Sequence, residues 1–277
     1  MSLVFFLGGH DLEMVTIRDL LAQHGAAFHD HHLAWGAKAS AYRREVEEAL
    51  ARGEVPVLVE LEHDLGLPAQ PFDPATSTVG TPNSASLLVH HHGPHAGANR
   101  PTSLHQVFAL LGLPSERWTR HFDLVAANDR GHIRAMLQLR PPATREEMLA
   151  IRAADRVAQG VTPADEAAAR AAIAIRESCA GGRLTLLRLD SRKTSPAADL
   201  MEPALGGPGF ENLLVLSPGE INFFGNGGVV LELSEAYPGG WFGGGLPDRG
   251  FWGSTKADAE SVCTWLSARL EPAAARD

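Results

Sequence analysis

The chain has 277 residues, of which 44% are hydrophobic and 21% charged. That balance excludes an intrinsically disordered chain and suits one large globular domain or two smaller ones. A net charge of −9, from 24 basic and 33 acidic residues, argues against a broad duplex-DNA surface but leaves room for a locally basic pocket.

Leu3–Leu7 is a continuous apolar run closed by Gly8-Gly9, and it predicts a strand buried on both faces. It is too short, and lacks the basic start, for a signal peptide. No run approaches the roughly 20 apolar residues that cross a bilayer. Met14, Ile17, Leu20 and Leu21 recur at helical spacing. A Glu- and Arg-rich helix over Tyr42–Arg52 leads into a second buried strand, Val55–Val59, and Leu87–Val89 predicts a third. Ser103 with Gln106, and Thr144 with Glu147, fit capping boxes. Strands alternating with helices predict an α/β domain with a mostly parallel sheet.

Long helices are expected over Thr144–Gln159 and Thr162–Ala180, the second opened by the Thr162-Pro163 cap and stopped by Gly181-Gly182. Beyond it the period shortens. Leu184–Leu189, Leu213–Leu216, Ile221–Phe224 and Val229–Leu233 are strand candidates, and Ala257–Leu270 is a closing helix. This C-terminal part reads as α+β. All 13 histidines lie at or before His132, whereas glycines gather at Gly206-Gly207, Gly225–Gly228 and Gly239–Gly245. The expected organisation is a histidine-bearing domain over 1–160, a linker helix over 161–182 and a smaller glycine-looped domain over 183–277. Two cysteines, Cys179 and Cys263, make no disulfide framework and point to a reducing, cytoplasmic setting. Cys179 falls on the expected linker helix with no histidine near it in sequence, so no thiol nucleophile is read there.

In open α/β sheets, ligands bind beyond the carboxyl ends of the strands. The first strand is followed by Gly8-Gly9-His10-Asp11-Leu12-Glu13, the second by Glu60-Leu61-Glu62-His63-Asp64, and the third by His90-His91-His92-Gly93. A fourth cluster, Asn128-Asp129-Arg130-Gly131-His132, ends a helical segment. Each has a plainer alternative: Asp11 as a helix N-cap, Glu60 or Glu62 as solvated acids, the histidine run as a surface tract. Their joint position after three buried strands points to a metal site. Carboxylates with imidazoles suit a borderline divalent ion such as Mn²⁺.

The order of these motifs resembles the DHH phosphoesterase superfamily, which contains nucleases, pyrophosphatases, exopolyphosphatases and small oligonucleotide hydrolases. The resemblance covers almost the whole chain and rests on order and spacing. It implies a DHH-like domain followed by a C-terminal substrate-binding domain. It places Asp11 and Glu13 at the family's first motif, with Glu13 where an Asp is usual. Glu60 fits the second motif, with Glu62 and Asp64 as alternatives. His90-His91-His92 occupies the Asp-His-His motif, with His90 in place of the Asp. His91 would then be a metal ligand, and His92 would face the substrate phosphate or the metal. Asp129, followed by Gly131, fits the fourth motif. Asp11, Glu13, Glu60, His91 and Asp129 are thus the implied metal ligands, with His92 and Asp129 as catalytic residues.

Trp241-Phe242-Gly243-Gly244-Gly245-Leu246-Pro247 resembles the family's Gly-Gly-Gly-His loop, with Leu246 where the His would be. Glycines let backbone N–H groups approach an anion. Arg249 just beyond offers a planar fork for phosphate, so Gly243, Gly244, Gly245 and Arg249 are substrate-binding candidates together with Arg100. A long turn is the equal alternative for the glycines. Trp241 and Trp252 could stack on a base, although core packing is the commoner fate of tryptophan. Asp30-His31-His32 spells the family signature literally. It follows a weak strand and precedes the second acid, so it is read as a loop. Lys38 nearby is the only lysine of the first domain.

The function implied is a metal-dependent phosphoesterase using Mn²⁺ or Mg²⁺. Its substrate would be small and phosphorylated: a short single-stranded oligonucleotide, a nucleotide or a polyphosphate. Neither long duplex DNA nor a membrane is an expected partner. The substituted motifs support one alternative, a catalytically weakened relative that binds a ligand or a protein partner.

Overall fold

A computed structural model describes residues 2–75, 86–92 and 100–271. Gly93 of the His90-His91-His92-Gly93 motif lies outside the described residues. The chain divides into two compact units, the first ending at Arg130 and the second running from Gly131.

The first unit is built on a parallel five-stranded sheet in the order β2-β1-β3-β5-β4. Its strands are β1 (Leu3–Leu7), β2 (Ala27–Asp30), β3 (Val55–Val59), β4 (Ala69–Pro71) and β5 (Ser86–Val89). The central strands β1 and β3 are apolar throughout because both of their faces are covered; every residue of β3 is buried. The weak apolar signal of Ala26–Phe28 has the opposite cause, since β2 is a partly exposed edge. Helix α1 (Leu12–Gln23) starts at Asp11, whose Oδ1 accepts from the Met14 amide at 2.9 Å. Helix α2 (Arg43–Ala51) lays Val46 and Ala49 against Val4, Phe6 and Leu58. Helix α3 (Ser103–Leu110) packs against α1. From β1 the chain moves outward to β2 and then returns across β1 to β3, so the strand order reverses between β1 and β3. That is where open α/β sheets place their ligands.

Helix α4 (Arg120–Gln138) is broken at Gly131 and His132, the latter with left-handed φ of 52°. The second unit begins at this break. It holds α5 (Arg145–Ala158) and α6 (Pro163–Ala174), each opened by a complete capping box, Thr144 with Glu147 and Thr162 with Asp165. These are followed by β6 (Glu177–Cys179), β7 (Leu184–Arg188), α7 (Ser195–Met201), β8 (Asn212–Ser217) and β9 (Glu220–Asn226). The unit closes with α8 (Gly227–Ala236), β10 (Trp241–Gly243), β11 (Arg249–Ser254) and α9 (Ala259–Leu270). The sheet order is β10-β11-β9-β8-β7-β6, antiparallel except for β7 with β8.

Two sequence expectations are corrected here. Val229–Leu233 is helical, not a strand. Asn226 caps α8 by accepting from the Gly228 and Val229 amides, and Val229, Val230 and Leu233 are the buried side of that helix. The helix expected to run to Ala180 ends at Ala174, and Glu177–Cys179 pairs antiparallel with β7. Gly181 and Gly182 both have positive φ and turn the chain back, which holds the residues before them against the next strand. Cys179 is therefore on a strand. Both cysteines are free, and among the described residues no helix is long and apolar enough to cross a membrane.

An ionic cluster ties α5 to α7 within the second unit. Arg152, 1% exposed, donates to Asp199 Oδ1 and Asp155 Oδ2, both at 2.7 Å. Arg156 bonds the other oxygen of Asp199. Removing one partner from a buried pair strands the remaining charges, so Asp199→Ala should cost about 3–5 kcal/mol in urea unfolding. Arg170 pairs with Glu166 at 3.0 Å on the surface, and Arg170→Ala should cost under about 1 kcal/mol. Equal effects of the two substitutions would show that the buried cluster does not hold these helices together.

Candidate active site

At the reversal of strand order the chain turns tightly. A Cβ at Gly8 would lie 2.5 Å from Leu61 Cδ2 and 2.6 Å from the Glu60 carbonyl, so only glycine fits between the ends of β1 and β3. Glu60 itself takes left-handed backbone, φ 50°, which is uncommon and costly for a non-glycine residue. Its carboxylate is buried. Oε1 accepts from the His91 amide at 2.8 Å and from the Ser103 hydroxyl, and Oε2 lies 3.7 Å from His90 Nδ1. The plainer reading of Glu60 as a solvated acid is thereby corrected, whereas Glu62 and Asp64 are exposed.

The expected capping box at Ser103 does not form. Thr102 is the N-cap and makes no side-chain cap bond. The Ser103 hydroxyl is drawn to the buried Glu60 charge instead, and Gln106 Nε2 donates to the His90 and Pro101 carbonyls at 2.9 and 3.2 Å.

His91, His92 and Asp129 meet beside Glu60. His91 Nε2 is 3.7 Å from Asp129 Oδ2, and His92 Nε2 is 3.4 Å from Asp129 Oδ1. His91 is fully buried, and neither of its ring nitrogens has a hydrogen-bond partner among the described residues; the same holds for Asp129 Oδ2. Glu13, on the first turn of α1, accepts from the Leu104 amide at 2.9 Å and shares a hydrogen bond with Asp129.

Crowding fixes the charges. Burial and the neighbouring Asp129 push the Glu13 carboxyl well above its usual range, so it carries the proton of that bond. Burial works against an ionised Asp129, but His92 and His91 outweigh it and hold Asp129 down to about 2. Burial likewise opposes a charged His92, but Glu60 and Asp129 push it up to about 10. Burial keeps His91 below its usual value and thus neutral, with both nitrogens inside the cluster. Glu60 is lowered against burial by His92 and His90.

These groups can be tested as ligands for a divalent ion. The donors are of the right kind, carboxylates and neutral imidazole. Buried nitrogens and an oxygen without partners are the atoms an ion would take up, and the protons on Glu13 and His92 are those a dication would displace. Against this, one oxygen of Asp11 caps α1 and one of Glu60 holds the His91 backbone. Among the described residues no three His, Cys, Asp or Glu side chains stand close enough to enclose an ion. The chemistry fits, while the side-chain positions do not form a closed ligand sphere.

Of the other candidates, Arg100 is exposed. Arg249, in the second unit, donates to the Glu211 carbonyl at 2.9 Å and lies over the Phe210 ring. Gly243 pairs with Phe251, and a Cβ at Gly244 (φ 99°) would come within 2.8 Å of Gly250 Cα, so close strand approach accounts for that glycine. Nothing steric requires glycine at 245. Trp252 is core, and Trp241 covers Gly253 on the neighbouring strand. Asp30 ends β2 and pairs with Arg18 at 3.7 Å. Sequence reasoning missed Ser103 and Arg130. Arg130 is half-buried, its Nε has no hydrogen-bond partner among the described residues, and the charges of Asp129 and Glu13 act on it. Its place beside Asp129 in sequence was the available signal.

No family model matches the chain, and no curated protein matches it in sequence. Among solved structures it is similar to RecJ in complex with Mn²⁺ from Thermus thermophilus, at 12% identity and a TM-score of 0.45. That match covers 97% of this chain and 51% of the other, so the chain spans about half the length of that RecJ. It is also similar to an exonuclease RecJ bound to manganese, at 14% identity and a TM-score of 0.41, covering 100% of this chain and 90% of the other. A pGpG-specific phosphodiesterase, PggH from Vibrio cholerae, matches at 13% identity and a TM-score of 0.34, covering 97% and 98%. Likeness at this level assigns neither an activity nor a residue to this chain.

The raised pKa of Glu13 has a consequence for stability. Above the unfolded value the folded state binds the extra proton, so stability falls as pH rises from about 4.5. Glu13→Gln mimics the protonated carboxyl and should stabilise the protein by about 0.5–2 kcal/mol at pH 7.5. The gain should vanish near pH 4.5 in urea titrations. A Gln variant less stable than the parent at pH 7.5 would mean that Glu13 is not held protonated.

Proposed function

We propose that the chain is a metal-dependent phosphoesterase, a hydrolase acting on a small phosphorylated substrate such as a short oligonucleotide, a nucleotide or a polyphosphate. The observation that carries this reading is the group formed by buried His91, Glu13 and Glu60 with the partly buried His92 and Asp129, next to the carboxyl ends of β1, β3 and β5. The DHH-like motif order supports the same chemistry.

In this reading Asp11, Glu13, Glu60, His91 and Asp129 hold a divalent ion, Mn²⁺ or Mg²⁺. When bound, such an ion supplies an acidified water as nucleophile and compensates phosphate charge. The chain's own groups do the rest. Asp129 orients both imidazoles. His92, whose Nε2 stands 3.4 Å from Asp129 Oδ1, donates an N–H hydrogen bond to a phosphate oxygen as charge develops on it. Arg130 adds positive charge close by. Burial of the cluster keeps bulk water out and strengthens each of these interactions. Arg100, the Gly243–Gly245 segment and Arg249 are proposed to bind the rest of the substrate, with 183–277 as the substrate-binding segment.

A second reading, a binding module that has lost turnover, is favoured by His90 in the place of an acid and by the oxygens of Asp11 and Glu60 already given to the backbone.

The test is calorimetric titration with Mn²⁺, followed by turnover of a panel of phosphomonoesters, phosphodiesters and polyphosphate. Divalent-dependent hydrolysis is expected. It should be abolished in His91→Ala and Asp129→Asn, retained in Asp30→Ala, and lowered about 10- to 100-fold in kcat/KM by Arg249→Ala. Mn²⁺ binding without hydrolysis of any member of the panel would select the binding module. Failure to bind Mn²⁺ would remove the metal-dependent reading.

A further inference from the structure

Trp35 is the most exposed of the described tryptophans, at 44%. It lies on the loop after Asp30-His31-His32, the literal signature motif that the proposed chemistry leaves unused. The loop is tightly fastened. The His31 amide donates to the Tyr42 hydroxyl at 2.8 Å, and that hydroxyl donates to the Leu7 carbonyl at the end of β1, at 2.7 Å. The His31 ring lies on the Tyr42 ring, centroids 4.3 Å apart. The His32 amide donates to Asp30 Oδ1 at 2.8 Å, and the His32 ring meets His10 edge to face at 5.5 Å. Past the tryptophan, the Glu62 amide donates to the Ala37 carbonyl at 2.9 Å.

This fastening sets the indole against two of the strand-end motifs at once. His92 stands perpendicular to it, with centroids 4.7 Å apart. Its six-membered ring lies over Gly9: a Cβ there would be 3.4 to 3.5 Å from Cδ2, Cε2 and Cζ2. Nearly half of a large apolar side chain is thus held in solvent beside the histidine assigned to the phosphate. Both exposed tryptophans cover a glycine, Trp241 at Gly253 and Trp35 at Gly9, and Trp35 in addition meets His92 of the proposed site. A fixed aromatic surface close to a phosphate group suits a planar base, since stacking on a preorganised ring avoids the cost of ordering a loop.

We infer that Trp35 is the stacking platform for a nucleobase, which makes the substrate a nucleotide or short oligonucleotide rather than a base-free phosphate. This inference rests on the phosphoesterase reading. Calorimetric titration of the full chain in Mn²⁺ with adenosine 5′-monophosphate and with ribose 5-phosphate separates the two, because these ligands differ in the base. The nucleotide should bind roughly 5- to 100-fold more tightly, the range expected from one stacked base. Trp35→Ala should abolish that preference, and Trp35→Phe should keep part of it. Nucleotide should also quench indole fluorescence in the parent protein, and most of that change should be lost in Trp35→Phe. Equal binding of the two ligands, or a preference that survives in Trp35→Ala, overturns the inference and leaves the phosphate site standing. If neither ligand binds, the inference is overturned, and Mn²⁺ binding with turnover of the phosphoester panel decides the phosphoesterase reading separately.

Discussion

A carboxylate buried at the end of β3 sets the terms for everything around it. Glu60 cannot reach water, so donors must be brought to it, and they come from two other elements: the His91 amide after β5 and the Ser103 hydroxyl at the start of α3. Those bonds fix the backbone of the histidine run beside the sheet. The left-handed turn at Glu60 and the bare Gly8 let β1 and β3 end side by side without a clash. Once His91 and His92 are fixed, Asp129 at the break of α4 has two imidazoles to face, and Glu13 is left as the group that must hold a proton.

Two ionic clusters among the described residues differ in kind. Around Arg152 the charges are matched and the bonds are short, with Asp199 shared by two arginines. That cluster fastens helices. Around Asp129 the two imidazoles stand 3.4 and 3.7 Å from its oxygens, and both His91 nitrogens lack hydrogen-bond partners among the described residues. Such an arrangement is poor as a fastener, because unpaired buried polar atoms cost stability. Sites that work on ligands characteristically keep groups in reserve in this way.

Much of the first unit was legible in the sequence. Leu3–Leu7, Val55–Val59 and Leu87–Val89 lie in central strands whose two covered faces favour apolar residues, and the residues after them reached one sheet edge as their position requires. The edge strand β2 was faint because its residues are partly exposed. Val229–Leu233 misled because β-branched residues fit a strand by propensity, while the Asn226 cap and the packing of α8 decide the matter. Ser103 looked like half of a capping box. Only the folded chain shows that a buried carboxylate competes for its hydroxyl, and no local pattern encodes a partner 43 residues away. Trp35 was invisible for the same reason, since its neighbours Gly9 and His92 are remote in sequence.

The two sheets share a trait at their margins. Their edge strands are β2 and β4 in one, β10 and β6 in the other, and none is longer than four residues, while the strands inside run to seven. β4 also ends in Pro71, which has no amide hydrogen to donate. An open sheet edge is a template on which another chain can add a strand, and a short or proline-bearing edge offers few consecutive backbone groups for that purpose. Neither sheet is built to grow across a boundary between molecules. A partly unfolded copy finds few consecutive backbone groups to pair with along these four edge strands.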